Sequence, residues 1–256
     1  MAEAAPTSRF QWSSGETVFS HLGIGVRMKL KLLAHTPDPE LTVILAAKTC
    51  YAAKMPSGAM ERKDMEKLLR RVVGAGHTSV LEHASFTFSV EGVSRALTHQ
   101  LVRHRIASYS QQSQRYVKLK DFEHVTPPTV ANDKNALARF DKAMAELSDA
   151  YSALVDMGIP AEDARYVLPN AATSNIVITM NARSLHNFFE LRSCLRAQWE
   201  IRKLANLMLR EVKAVAPLLF ENAGPICQTR GTCIEGETDC KFYKQYVKKK
   251  SVKGQT

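Results

Sequence analysis

The stretch Arg103-His104-Arg105-Ile106-Ala107-Ser108-Tyr109-Ser110-Gln111-Gln112-Ser113-Gln114-Arg115-Tyr116 decides how the rest of the chain is interpreted. It places three arginines beside a histidine and three serines. Arginine makes bidentate, charge-assisted hydrogen bonds to phosphate, and hydroxyl groups supply further donors. The composition therefore suits a phosphorylated ligand, although the first three residues alone would also fit a solvated, arginine-rich helix end.

A helix is predicted immediately upstream, over residues 93–103. Its apolar stripe, at about 100° per residue, is formed by Val93, Leu97 and Leu101. Gln100 and His104 fall within the same arc, and Arg103 flanks it. A buried amide or imidazole without a partner costs about 1–3 kcal/mol. We therefore expect a polar ligand or partner to meet this face, which favours a binding site.

The rest of the chain shows helical and strand patterns and no internal repeat. Strands are predicted at residues 29–33, 84–90 and 175–180, with an extended polar segment at 109–118. Helices are predicted at residues 41–53, 60–73, 135–157, 184–192 and 198–215. A helical turn is predicted from Ser79, which has capping-box spacing to Glu82. Together these elements predict an α+β fold that is rich in helix and has a mixed or antiparallel β-sheet.

The positive charge is unevenly distributed along the chain. The net charge is +10, but residues 241–256 hold six lysines and no acidic residue, which leaves +4 for the rest. That surplus is compatible with small anionic substrates and with polynucleotides. A nucleic-acid-binding module is therefore the alternative from another functional class, but the sequence has neither an aromatic-rich binding motif nor a recognition-helix pattern. No apolar run reaches the roughly 18–20 residues of a membrane-spanning helix.

The sequence patterns disfavour metal ligation. Five scattered cysteines are typical of a reduced cytosolic protein, and they are Cys50, Cys194, Cys227, Cys233 and Cys240. The last three are spaced more widely than is usual for zinc ligands, which favours a flexible reduced tail. His77, Glu82 and His83 do not have the spacing of a zinc hydrolase motif. No metal site is predicted.

Three segments together resemble the flavin-dependent thymidylate synthase family. The pattern Arg103-His104-Arg105, seven residues and Ser113 is similar to the motif of that family. Gly76-His77-Thr78-Ser79-Val80-Leu81-Glu82-His83 precedes it and Asn181-Ala182-Arg183-Ser184-Leu185 follows it, in the family's order. The resemblance covers about residues 28–221. Residues 1–27 are then expected to be a flexible extension, with Met28 an alternative start, and residues 222–256 a cysteine-containing, lysine-rich tail.

The resemblance implies an enzyme that methylates dUMP to dTMP, with 5,10-methylenetetrahydrofolate as carbon donor and NADPH-reduced FAD as hydride carrier. It also implies a cytoplasmic homotetramer with active sites at subunit interfaces. The residues implied to bind FAD are Ser79, Arg103, His104, Arg105, Gln111, Asn181, Arg183 and Asn187. The residues implied to bind dUMP are Gln100, Arg103, Gln111, Gln112, Ser113, Gln114, Arg115, Arg165 and Arg192. The folate and flavin region is implied to include His77, Glu82 and His83.

The residue types at these positions suit that chemistry. Uracil C5 becomes nucleophilic when electrons are pushed into the ring, and a cation near O2 or N3 stabilises the resulting charge, a role we assign to Arg192. Ser113 has no adjacent base and is predicted to donate a hydrogen bond rather than to act as a nucleophile. Cys194 is predicted to be structural. Many family members have a glutamate where this chain has Gln111, so a carboxylate is lost there.

Overall fold

The computed structural model describes residues 28–56 and 60–248. The predicted extension, residues 1–27, and the last part of the lysine-rich tail, residues 249–256, lie outside the described residues. The fold is α+β, as the sequence predicts, with helices packed on an antiparallel sheet. Within the described residues, no helix is long and apolar enough to cross a bilayer.

Four of the described segments form one antiparallel sheet in the order β1-β2-β4-β3. The strands are β1 Lys29–His35, β2 Ser85–Ser94, β3 Ser108–Gln111 and β4 Thr173–Asn181. The buried side chains of the central pair alternate along it and are Phe86, Phe88, Val90, Ile176, Ile178 and Met180. Thr87 and Thr179 lie on the opposite face, where their hydroxyls are 2.9 Å apart. One face of the sheet is therefore apolar and is covered by helices.

Helices supply the second layer of the fold. The longer ones are α1 Pro39–Thr49, α2 Arg62–Gly74, α5 Lys134–Asp156, α7 Ala182–Arg192 and α8 Trp199–Val215. The shorter ones are α3 Arg95–Leu101, α4 Pro128–Ala131, α6 Ala161–Ala164, α9 Ile226–Thr229 and α10 Lys241–Tyr243, with 3-10 helices at Thr78–His83 and Arg165–Val167 and a π-helical turn at Lys244–Lys248. Leu185, Phe188 and Met208, from α7 and α8, are fully buried and join the core of the sheet. Each such side chain stabilises the fold by about 1.5–3 kcal/mol.

Helix α5 forms two smaller apolar clusters of its own. Met144 packs with Phe122 and Ala172, while Tyr151 belongs to a neighbouring cluster. The Tyr151 hydroxyl accepts a hydrogen bond from the backbone N–H of Leu119 at 3.1 Å. This hydrogen bond holds the segment around Leu119, which follows β3, against α5.

Two predicted elements differ from the structure near the arginine-rich stretch. Strand β2 continues to Ser94, whose hydroxyl accepts a hydrogen bond from the Leu97 N–H and caps α3. Helix α3 ends at Leu101, so His104 lies in the following loop and not on one helical face with Gln100. The predicted extended segment 109–118 is the short strand β3 followed by turns.

The capping box predicted for Ser79 and Glu82 is also wrong. The 3-10 helix begins after His77 and has no side-chain cap. Glu82 instead forms an ion pair with Arg183, in the first turn of α7. The Glu82 carboxylate therefore contacts a neighbouring element through Oε1 and does not cap its own helix.

Candidate active site

A cleft of about 1420 Å³ lies between α2, the loop after α3, α7 and the segment that follows α8. Eight of the predicted site residues line it, namely Glu82, Arg103, His104, Arg105, Asn181, Arg183, Asn187 and Arg192. Ligand pockets commonly measure about 300–1,000 Å³. The cleft is therefore large enough for a ligand of dinucleotide size.

Residues 102–107, which we call the arginine-histidine loop, are fixed by Tyr109 at the start of β3. The Tyr109 hydroxyl lies 2.9 Å from the Leu101 carbonyl oxygen and 2.8 Å from that of His104, and shares its hydrogen between them. Burial raises the pKa of Tyr109 to about 12, so the hydroxyl stays protonated. Because Tyr109 is also paired with Ile178 of β4, the loop is tied to the sheet.

Arg192 and His104 are in direct contact. The Arg192 Nε atom donates a hydrogen bond to His104 Nε2 at 3.0 Å. A guanidinium can only donate, so Nε2 carries the lone pair and the ring proton is on Nδ1. Burial, and then the positive charge of Arg192, lower the pKa of His104 to about 4. The imidazole is therefore neutral near pH 7 and orients the guanidinium, while its edge packs on Phe188 at a centroid distance of 5.0 Å.

The first turn of α7 borders the cleft. Asn181 caps this helix by accepting a hydrogen bond from the Ser184 N–H at 2.8 Å, and both residues line the cleft. The start of a helix favours a negatively charged ligand, because its N–H groups are unpaired and its dipole is positive there. Arg183, also in this turn, is paired with Glu82.

The charges that line the cleft do not balance. Its three glutamates are all matched to arginines, in the pairs Arg70–Glu221, Arg183–Glu82 and Arg230–Glu190. Arg103, Arg105 and Arg192 remain without a carboxylate partner among the residues that the structure describes. Burial, and then the charge of Arg103, lower the pKa of Arg192, so these two cations lie close enough to repel. The cleft is therefore suited to an anionic ligand.

Other predicted ligands do not line this cleft, namely His77, Ser79, His83, Gln100, Gln111, Gln112, Ser113, Gln114, Arg115 and Arg165. Two of them, Arg115 and Arg165, meet at Glu162. Arg115 forms an ion pair with the Glu162 carboxylate, and Arg165 Nε donates to the Glu162 carbonyl at 3.0 Å. Within one chain, therefore, some of the predicted ligands line the cleft and the others lie outside it.

Two glutamines outside the cleft, Gln111 and Gln114, differ in how well their hydrogen bonds are satisfied. Gln111 Nε2 lies 3.1 Å from both Thr98 Oγ1 and Ser174 Oγ and donates to them. The buried Nε2 of Gln114, in contrast, has no hydrogen-bond partner among the described residues. Buried donors are normally paired, so Gln114 is available to a ligand acceptor.

Part of the lining of the cleft could not be predicted from the sequence. Arg70 on α2 binds Glu221 through two hydrogen bonds of 3.1 and 2.9 Å. Glu190 accepts hydrogen bonds from Thr229 Oγ1 at 2.8 Å and from Arg230 Nη2 at 2.6 Å. These pairs join distant parts of the chain and follow no periodicity, so no local pattern could have indicated them.

Comparisons with known proteins place the chain in a family. A family model described as thymidylate synthase complementing protein matches residues 31–218. The chain belongs to that family. A flavin-dependent thymidylate synthase of Geobacter sulfurreducens is 56% identical over 218 residues, which are 83% of this chain and 94% of the relative. Proteins of the same name from Clostridium tetani and Sulfolobus acidocaldarius are 50% and 48% identical, over 83% and 78% of this chain and 93% and 78% of their own.

The match to the thymidylate synthase complementing protein family includes every predicted site residue, from His77 to Arg192. It ends before Glu221 and before the segment from Gln228 to Arg230, which also border the cleft. Part of the region expected to be a tail is therefore folded against the candidate site.

Proposed function

We propose that the chain is a flavin-dependent thymidylate synthase, as its relatives are named, and that it methylates dUMP to dTMP in the cytoplasm. The proposed carbon donor is 5,10-methylenetetrahydrofolate and the proposed reductant is NADPH. FAD, when bound, would supply the hydride chemistry that amino-acid side chains lack. The observation that carries the proposal is the group of three cleft arginines without carboxylate partners, Arg103, Arg105 and Arg192.

The proposed FAD ligands in the cleft come from the arginine-histidine loop and from the start of α7. They are Arg103, His104, Arg105, Asn181, Arg183 and Asn187. Arginines in this setting form strong hydrogen bonds with phosphate oxygens, and the first turn of α7 favours the same charge. Ser79 follows Thr78, which lines the cleft, whereas Gln111 lies outside the cleft and bonds to Thr98. Glu82 lines the cleft, and we assign it and His77 to the proposed folate and flavin region.

We assign the activation of uracil to Arg192. Its guanidinium is held by His104 and needs no reorganisation when negative charge develops on the ring. A preorganised donor of this kind is commonly worth a factor of about 10²–10³ in rate. His104 stays neutral near pH 7, so it does not compete for the same negative charge.

The remaining proposed dUMP ligands lie outside this cleft. They are Gln100, Gln111, Gln112, Ser113, Gln114, Arg115 and Arg165. Because they do not line the same cleft as Arg192, we propose that another copy of the chain brings them to it in a homotetramer. The buried donor of Gln114, which has no partner in one chain, supports a role in binding.

The proposal is tested by flavin binding. Purified protein supplied with FAD should be yellow and should lose its colour anaerobically when NADPH is added. The double variant R103A/R105A should bind FAD more weakly, whereas R62A should not, because Arg62 is an exposed α2 residue near Glu66. A protein that takes up no flavin and instead binds DNA or RNA in a salt-dependent way would favour the nucleic-acid-binding alternative.

A further inference from the structure

The chain after α8 forms a part of the cleft that lies on the other side of α7 from the arginine-histidine loop. We call residues 218–230, several of which line the cleft, the C-terminal wall. Arg192 of α7 contacts the loop, whereas Glu190, two residues earlier, contacts the C-terminal wall. Residues two apart on a helix lie about 200° apart around its axis. The loop and the C-terminal wall therefore flank α7 on different sides.

Hydrogen bonds fix the C-terminal wall near both of its ends. Near its beginning, Arg70 of α2 binds the Glu221 carboxylate at 2.9 and 3.1 Å. At its end, Thr229 Oγ1 donates to Glu190 at 2.8 Å, and Arg230 donates to the same carboxylate at 2.6 and 3.1 Å. The wall is therefore held in place by contacts within the chain and is ordered without a ligand.

The C-terminal wall carries no unbalanced charge. Its two charged side chains form ion pairs with residues of α2 and α7. The cleft arginines that lack a carboxylate partner among the described residues all lie in the arginine-histidine loop or touch it. Phosphate groups are therefore attracted to the loop, and an uncharged part of the ligand suits the C-terminal wall.

Amide groups of the C-terminal wall are available to a ligand. Asn222 and Gln228 both line the cleft, and neither side chain forms a hydrogen bond with the residues that the structure describes. Asn222 is exposed, whereas Gln228 is half-buried. The Gln228 amide lies against Gly224, where a β-carbon would be 2.6 Å from Gln228 Oε1. The glycine therefore leaves the space that this amide occupies.

The two halves of FAD suit the two sides of α7. The flavin ring acts on the uracil that we assign to Arg192, so this half belongs on the side of the arginine-histidine loop. The arginines of the loop suit the phosphates. The adenosine part, which is uncharged, is left for the C-terminal wall. Adenine pairs well with the amide of glutamine or asparagine, because the amide donates one hydrogen bond and accepts another.

We propose that Gln228 binds the adenine ring of FAD, so that the cleft prefers FAD to FMN. This inference rests on the proposed function, which supplies FAD as the ligand. Gly224 is a positioning residue, because it leaves the Gln228 amide in place. No sequence pattern indicated this role, since both residues lie in the region expected to be a tail.

The test compares the binding of FAD with that of FMN, which lacks the AMP half, to the full-length protein. Flavin fluorescence measures both dissociation constants. Q228A should weaken the binding of FAD about tenfold and leave that of FMN unchanged. G224A keeps the amide but displaces it, so FAD affinity should fall by part of the same factor.

Two further variants serve as controls. Q245A should leave both affinities unchanged, because Gln245 is exposed in the π-helical turn and does not line the cleft. R103A/R105A should weaken the binding of both flavins, since FMN also carries a phosphate. Circular dichroism checks that each variant is folded.

AMP gives a readout that does not involve the flavin ring. AMP should displace FAD from the wild type, and its dissociation constant should rise about tenfold in Q228A. GMP should compete less well, because guanine has an acceptor at O6 where adenine has a donor at N6.

Unchanged FAD affinity in Q228A, or equal weakening of FAD and FMN, would overturn the role of Gln228 and leave the proposed function standing. A wild-type protein that binds neither flavin would contradict the proposed function itself and this inference with it.

Discussion

The Nε atom of Arg192 donates a hydrogen bond to His104 Nε2 at 3.0 Å, and this contact joins the end of α7 to the arginine-histidine loop. The two elements are consequently held as one wall of the cleft. Burial, and then the nearby charge of Arg103, lower the pKa of Arg192, so the wall carries positive charge that a bound anion would neutralise. The contribution of each residue in this wall can therefore be tested by its own substitution.

Replacing Arg192 by alanine should lower kcat by about 10²–10³ while FAD is retained, because one preorganised donor to the developing charge is lost. R192K should recover only part of the rate, since lysine keeps the charge but lacks the Nε donor that His104 fixes. The measurement is dTMP formation together with the visible absorbance of bound flavin. Turnover like that of the wild type in R192A would refute the role assigned to Arg192.

His104 should make the free energy of unfolding depend on pH. Its folded pKa of about 4 is below the usual 6.5, so the unfolded chain binds more protons between these values. Stability attributable to this residue is therefore fully present above pH 6.5 and decreases as the pH falls towards 4. H104Q keeps an acceptor for Arg192 but does not titrate, and its unfolding free energy should fall less over that range.

Urea unfolding at several pH values measures this difference. H99Q is the control, because His99 is an exposed residue of the neighbouring helix α3. Equal pH slopes for the wild type and H104Q would show that the imidazole does not carry the effect.

Replacing Arg103 by alanine should weaken the binding of both FAD and dUMP. Hydrogen bonds to charged groups contribute about 1.5–3 kcal/mol, so each dissociation constant should rise roughly tenfold or more. Flavin fluorescence and calorimetric titration with dUMP measure the two constants, with R62A as the control. If neither affinity changes, Arg103 is not a shared contact.

Y109F should loosen the arginine-histidine loop without altering its charges. The His104 carbonyl loses the Tyr109 hydroxyl as a donor, while the Leu101 carbonyl keeps the His104 N–H, at a cost of about 1 kcal/mol in unfolding free energy. FAD affinity should fall as well, because the loop is less well ordered. Y116F is the matched control, since the Tyr116 side chain is 77% exposed. The same loss in both variants would indicate a general effect of removing a hydroxyl.

Elements with strong periodicity could be predicted from the sequence. The alternation around Phe86 and Phe88 is that of β2, and the long pattern over residues 135–157 corresponds to α5. The end of β2 could not be predicted in this way. Gly92, with a φ of 66°, and an irregular register between Val90 and Val93 let the strand continue to Ser94. Residues with a helical pattern therefore lie in a strand.

The candidate site could be predicted only in part. The resemblance to a known family pointed to the arginine-histidine loop and to the start of α7 as parts of the site. The fold brings these two segments together around Arg192 and His104. The pairing of Arg70 with Glu221 and that of Glu190 with Arg230 depend on tertiary contacts between distant segments. Such contacts leave no periodic signal in a single sequence.

The most direct measurement for the central claim is tritium release from dUMP labelled at C5, with methylenetetrahydrofolate and NADPH present. The proposed function predicts release that requires added FAD and is lost in R192A. Equal release from flavin-free protein, or no release from protein shown to bind FAD, would contradict it.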